Sequence, residues 1–209
     1  MSIATEISRI QQAKADIKSS IEAKGVTVPS AALIDDYSDY VDAIQTGGGG
    51  SNQEFIDLIE CDITSLNIPS GTTSIGSYVF MYQKTLTSVT IPNTVTRIKN
   101  DAFIYCESLS SINIPNSVTR IEDEAFYECY GLTSVTIGNG ITYIGFSTFD
   151  ECPLLTSITI NATTPPLIDS STFNNFSGTI YVPAASVDAY KAANNWSTYA
   201  SRIQAIPSE

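Results

Sequence analysis

The chain has 209 residues, 43% of them hydrophobic, with 10 basic and 22 acidic side chains, a formal net charge of −12 and no histidine. That length holds one medium domain or one domain with a small appendage, and no apolar run reaches the roughly 18 residues a spanning helix needs, so no membrane insertion is expected. An acidic body repels phosphate backbones, which argues against nucleic acid as a partner, and the lack of histidine removes the commonest general base and zinc ligand.

The N-terminus, Met1-Ser2-Ile3-Ala4-Thr5-Glu6, has no basic stretch followed by an apolar one. The expectation is therefore cytoplasmic synthesis without a signal peptide. Ile3, Ile7, Ile10, Ile17 and Ile21 recur at alternating steps of four and three, with Lys14 filling the missing step. That is a helical seam. Isoleucine at both seam positions favours more than two strands, so residues 3–22 are expected to form a homotrimer, with an intramolecular hairpin of the two N-terminal helices as the alternative. Gly25 ends the first helix, and Val26 to Pro29 is extended because the residue before proline avoids the helical region. Ser30 can cap a second helix with the stripe Ile34, Tyr37, Val41 and Ile44. Residues 1–45 thus read as a helical tether or oligomerisation segment, and 46–51, with four consecutive glycines, as a flexible linker.

Residues 52–178 are a repeat array. Units begin at Ile63, Leu86, Leu109, Leu132 and Leu155, at a period of 23 residues. Apolar residues follow three and five positions on, as in Val89 and Ile91 or Ile112 and Ile114. Proline comes next at 69, 92 and 115, replaced by Gly138 and Asn161. A second apolar point recurs at Ile75, Ile98, Ile121 and Ile144, and then a small residue precedes Phe80, Phe103, Phe126 and Phe149. Gln83, Cys106, Cys129 and Cys152 close the pattern, and the fifth unit drifts by one residue to Thr172-Phe173 with Phe176 in the cysteine slot. The period lies inside the roughly 20–29 residues of leucine-rich repeats. A stretch such as Leu86 to Ile91 alternates inside and outside as a strand does, and Pro92 stops it by withholding an N–H. One such coil cannot bury its inward face alone, so coils stack and share a core. The expected fold class is α/β, a right-handed leucine-rich-repeat solenoid of about five coils. Residues 179–209 read as its C-terminal cap. There Thr179 to Val182 is a last strand blunted by Pro183, Ser186 to Ala193 a helix, and Trp196, Tyr199, Ile203 and Ile206 a cover over the open core.

The unit L-x-x-V-x-I-P-x-x-V-x-x-I-x-x-x-A-F-x-x-C, at 86–106 and again at 109–129, resembles the BspA-like (Treponema pallidum type) leucine-rich repeats. The tail from Tyr181 to Ala193 is similar to the C-terminal cap of such proteins from gut bacteria. Gly138, Gln83 and the inserted residue of the fifth coil depart from the pattern. The resemblance implies a surface-displayed protein that binds host proteins or other cells and has no shared catalytic residues. Separately, Ile7 to Lys18 with Lys24 to Pro29 resembles the start of phage and prophage tail-associated proteins, which implies a solenoid anchored to a particle and facing outward.

For chemistry, four readings compete. Cys106, Cys129 and Cys152 stack as an inward ladder, read as buried free thiols rather than a disulfide or metal site, while Cys61 has no expected partner. Carboxylates at Glu122-Asp123-Glu124, Glu128 and Asp150-Glu151 could serve a glycosidase, but their turn positions predict solvent exposure, with nothing to raise a pKa. Outward strand positions form rows, Ser65 to Ser157 and Asn67 to Thr159, that a partner or glycan could hydrogen-bond. Tyr82, Tyr105, Tyr127 and Tyr130, on the variable turn, are the expected contact residues, because tyrosine brings area at low entropy cost. The alternative is that they pack between neighbouring turns. The function expected is a non-enzymatic binding or adhesion module for a protein or glycan on a host or cell surface, needing no cofactor or metal. A spacer without a ligand of its own stands second.

Overall fold

A computed structural model describes residues 64–208. The expectations for the helices and homotrimer within 1–45, for the 46–51 linker and for Cys61 lie outside those residues.

Each coil supplies two short strands. The first set is β1 Ser65–Asn67, β3 Ser88–Thr90, β5 Ser111–Ile114, β7 Ser134–Ile137, β9 Ser157–Ile160, β11 Thr179–Val182 and β12 Ile203–Ala205. The second is β2 Ser74–Ile75, β4 Arg97–Ile98, β6 Arg120–Ile121, β8 Tyr143–Ile144 and β10 Leu167–Ile168. The first set forms a parallel sheet in the order β1-β3-β5-β7-β9-β11-β12, and the second a parallel sheet in the order β10-β8-β6-β4-β2. The connections are turns rather than helices. Pairing is locked to the repeat: Ser111 opposes Ser134 and Ile112 opposes Val135 in one sheet, and Arg97 opposes Arg120 in the other, all 23 residues apart.

The interior is one column per repeat position. Ile98, Ile121 and Ile144 are fully buried. Phe80, Phe103, Phe126, Phe149 and Phe173 stack with centroids 5.0, 5.2, 5.4 and 5.9 Å apart, the last three pairs within 5° of parallel. A slip of one residue would turn every inward side chain to solvent, so burial itself sets the register.

The third side of each coil is a turn with its own ladder. In the turns, N–H groups of one coil donate to the following coil: Asp101 to Asp123, Phe103 to Ala125 and Tyr105 to Tyr127, at 2.9–3.0 Å. Three alternate amides point the same way because left-handed residues bracket the turn, as at Asp101 (φ 58°) and Tyr105 (φ 61°). Each non-glycine residue in that region costs about 1 kcal/mol, which the ladder offsets. Hydroxyls add a further rung, since Thr87, Ser110, Thr133 and Thr156 each donate to the carbonyl of the residue one coil earlier.

The cap differs from expectation in one respect. β11 is not the last strand. Ile203–Ala205 pairs with it in parallel, through Ile180 and Ile203, and so extends the sheet. Between them lie a 3-10 turn Ala184–Ser186, the helix α1 Val187–Ala192 and a 3-10 helix Trp196–Arg202. The Trp196 indole donates to Pro166 O at 2.8 Å, a carbonyl that a further coil would have taken as Leu167 N takes Thr142 O, and the Tyr190 hydroxyl donates to Ala162 O at 2.9 Å. Among the described residues, no helix is long and apolar enough to cross a membrane.

Candidate binding face

The turns place the four expected tyrosines on one face. Tyr82 and Tyr105 occupy equivalent left-handed positions in successive coils, and their rings stack at 4.5 Å and 3°. Tyr127, one position earlier in its coil, meets Tyr105 edge-on at 6.3 Å and 80°. Tyr82 is 44% exposed and Tyr130 39%, whereas Tyr105 and Tyr127 are half-buried. The rings thus pack between neighbouring turns, as the alternative reading expects, while Tyr82 and Tyr130 keep exposed surface.

Glu128 sits among the phenols. It accepts a hydrogen bond from the Tyr130 hydroxyl. That bond, followed by desolvation, pushes the Tyr130 pKa to about 12. Tyr127 is also pushed to about 12, first by desolvation and then by Glu128, Asp150 and Glu151. Tyr105 is raised by desolvation and next by Glu128. At the first coils, Lys84 pairs with Glu107 at 2.5 Å.

The carboxylates correct the expectation of uniform exposure with nothing to raise a pKa. Asp101 and Glu124 share the left-handed column with Tyr78 and Ser147. Both lie above the ordinary carboxylate range, chiefly through desolvation, and Glu124 also through its neighbours Asp101, Asp123 and Asp150. Asp150 is buried, at 8% exposure. It accepts the Glu151 N–H at 2.9 Å and the amides of Asn175 at 3.2 Å and Asn174 at 3.3 Å. Stacking along the coil axis causes both effects, because each carboxylate is covered by the turn above.

The thiols of Cys106, Cys129 and Cys152 are free and buried, donating to the carbonyls of Phe80, Phe103 and Phe126 at 3.2–3.3 Å. Burial pushes the Cys106 and Cys152 thiols up to about 12 and that of Cys129 well above its ordinary value. They are core, in keeping with the ladder read from the sequence. The outward strand rows are exposed from Ser65 to Asn113 and half-buried from Ser134 onward. Among the described residues, no group of three or more His, Cys, Asp or Glu side chains is placed to hold a metal ion.

One constellation escaped the sequence reading. The Arg120 guanidinium lies 4.1 Å from the Tyr143 ring centroid, and the Tyr143 hydroxyl donates to Asp123 Oδ1 at 3.3 Å. The signal was available, since Arg97, Arg120 and Tyr143 fall 23 residues apart on the outward face of the second sheet.

Short parallel strands on successive coils, joined by turns around shared Ile, Phe and Cys columns, define a leucine-rich-repeat solenoid. The BspA type leucine rich repeat region matches residues 57–179 in six copies, and the chain belongs to that family. The array is similar to the crystal structure of the Treponema pallidum leucine-rich-repeat protein, with 25% identity over 57% of this chain and a TM-score of 0.52. It is also similar to the pneumococcal vaccine antigen PcpA (20%, 69% of this chain, 0.53). A leucine-rich-repeat protein from Eubacterium ventriosum gives a like match (24%, 57% of this chain, 0.53). The chain spans only 55%, 40% and 32% of those three proteins. Comparison with curated proteins gives no match.

Proposed function

We propose that the protein is a non-enzymatic recognition module that presents its turn face to a protein or glycan on a host or cell surface. The observation that carries this reading is the contiguous file of Tyr82, Tyr105 and Tyr127, with Tyr130 beside it, held by a rigid backbone ladder. Prepaid order of this kind lets rings contact a partner without further loss of backbone freedom. Anchoring through residues 1–45, to a phage particle or a cell surface, would hold the solenoid outward.

Two carboxylates acting as acid and base need environments that push their pKa values apart. Asp101 and Glu124 are equivalent residues of adjacent coils, and both move in the same direction. For these two residues that pattern favours a structural column over an acid–base pair. The uniform Ser, Asn and Thr rows of the first sheet favour a second reading, a spacer with no ligand of its own.

The test is an array of host proteins and glycans probed with the intact chain and with Tyr105→Ser/Tyr127→Ser. A partner bound by the first and lost by the second supports recognition. Stable particle association with no array binding supports the spacer.

A further inference from the structure

We propose that the turn face is a docking surface for a basic polypeptide segment, one that lays arginine or lysine side chains on the tyrosine rings. This rests on the recognition reading above and names the chemistry of its partner.

The molecule already contains the contact in miniature. Arg120 lies over the Tyr143 ring at 4.1 Å, while Asp123 at 3.3 Å holds the phenol and Glu122 lies 4.0 Å from the guanidinium. A cation on the ring face with carboxylates at its rim is a favourable arrangement, because the ring quadrupole and the acids attract the same charge. Among the described residues, the turn face repeats those parts with no guanidinium or ammonium over a ring. Glu128 lies among Tyr105, Tyr127 and Tyr130, and Glu151 lies beyond Tyr127. The nearby Lys84 is engaged by Glu107 at the first coils.

Geometry narrows the form of the partner. The stacked Tyr82 and Tyr105 act as one platform, and the Tyr127 ring is 6.3 Å from Tyr105. Same-side residues of an extended chain repeat at about 6.6–6.8 Å. Alternate side chains of one strand therefore match the Tyr105–Tyr127 spacing. An apolar segment would cover the rings equally well but would strip water from Glu128 and Glu151 with nothing in return. A neutral glycan would donate hydroxyls to those carboxylates but would leave their charge uncompensated.

Titration calorimetry on the intact chain tests this with a short peptide of alternating Gly and Arg, and with its counterpart carrying citrulline, the neutral isostere of Arg. The Arg peptide is expected to bind about fivefold or more tighter. Glu128→Gln/Glu151→Gln should remove most of that preference, and Asp188→Asn, which removes a remote charge on α1, should leave it unchanged. Equal affinity for the two peptides would overturn the proposal. So would an effect of Asp188→Asn as large as that of the Glu pair, because that marks diffuse charge attraction. If the array yields a partner that is neutral or acidic and lost in Tyr105→Ser/Tyr127→Ser, the cationic assignment falls and the recognition reading stands. If the tyrosine variant binds the array partner unchanged, the recognition reading falls too.

Discussion

The middle coils and the C-terminal end solve the same burial problem in different ways. From Leu86 to Cys152 the interior Leu, Phe, Cys and two of the Ile columns each repeat one residue type at 23-residue steps, and the others exchange residues of similar size, because a coil with a like neighbour above and below packs best against itself. At the last coil the step changes. Leu167 opposes Tyr143, a step of 24, and Thr179 opposes Ser157, a step of 22, so one residue is inserted and two are later removed. Gly178 permits that shortening, since a Cβ there would lie 2.2 Å from Thr156 O. Phe176 replaces the cysteine, and Trp196 and Tyr199 close on Phe173 at 5.5 Å with tilted and edge-on rings. Repetition serves the interior, and complementarity of unlike residues serves the end.

Mutations of the aromatic core test that contrast most severely. Phe126→Ala and Trp196→Ala are each expected to cost about 3–5 kcal/mol in urea unfolding. They should differ in extent, because Phe126 is stacked on both sides. Its loss should lower protection from hydrogen exchange across the whole array, whereas Trp196→Ala should fray only β10 to β12. Equal spread of the two effects would erase the distinction between interior and end.

The cysteine column gives the next largest effect and a pH signature. The folded thiols hold their protons to about 12 for Cys106 and Cys152, against an ordinary value of 9.0. The unfolded chain therefore releases protons first, and stability should fall as pH rises from about 9 toward 12. Cys129→Ala should cost about 1–2 kcal/mol and flatten that decline. Thiol-reagent labelling followed by mass spectrometry should leave Cys106, Cys129 and Cys152 unmodified until the protein unfolds. Smaller still is Thr133→Val, which removes a 2.9 Å hydroxyl bond to Ser110 O and should cost about 0.5–1.5 kcal/mol.

The smallest change has the opposite sign. Glu124 has a folded pKa above its unfolded one, so its charged form disfavours folding at neutral pH, and stability declines as pH rises through the window between the two values. Glu124→Gln should stabilise by a few tenths of a kcal/mol at pH 7, a figure already discounted for solvent screening. The gain should vanish below the ordinary carboxylate range.

The array was legible because stacking demands the same side chain at the same spacing, and Phe103, Phe126 and Phe149 advertise that demand directly. The left-handed turn residues were hidden, since Tyr78, Tyr82, Asp101 and Glu124 lack the glycine or asparagine that marks such positions, and Asn175 and Asn195 are the exceptions. β12 was missed because Ile203-Gln204-Ala205 is too short to show a period and pairs only by virtue of the cap. Carboxylate desolvation depends on which turn covers which, a property of the stack rather than of any single segment. The tyrosine face was found by its variability between coils, but the Tyr82–Tyr105 stack and the central place of Glu128 required the coil-to-coil register.

The most direct measurement compares two faces of the intact chain in binding to whichever surface partner the array yields. The account predicts that Tyr105→Ser/Tyr127→Ser abolishes binding while Ser111→Ala/Asn113→Ala, on the outward strand rows, leaves it unchanged, with both variants folded by circular dichroism. Loss of binding from the strand-row pair, with the tyrosine pair at full affinity, would contradict it.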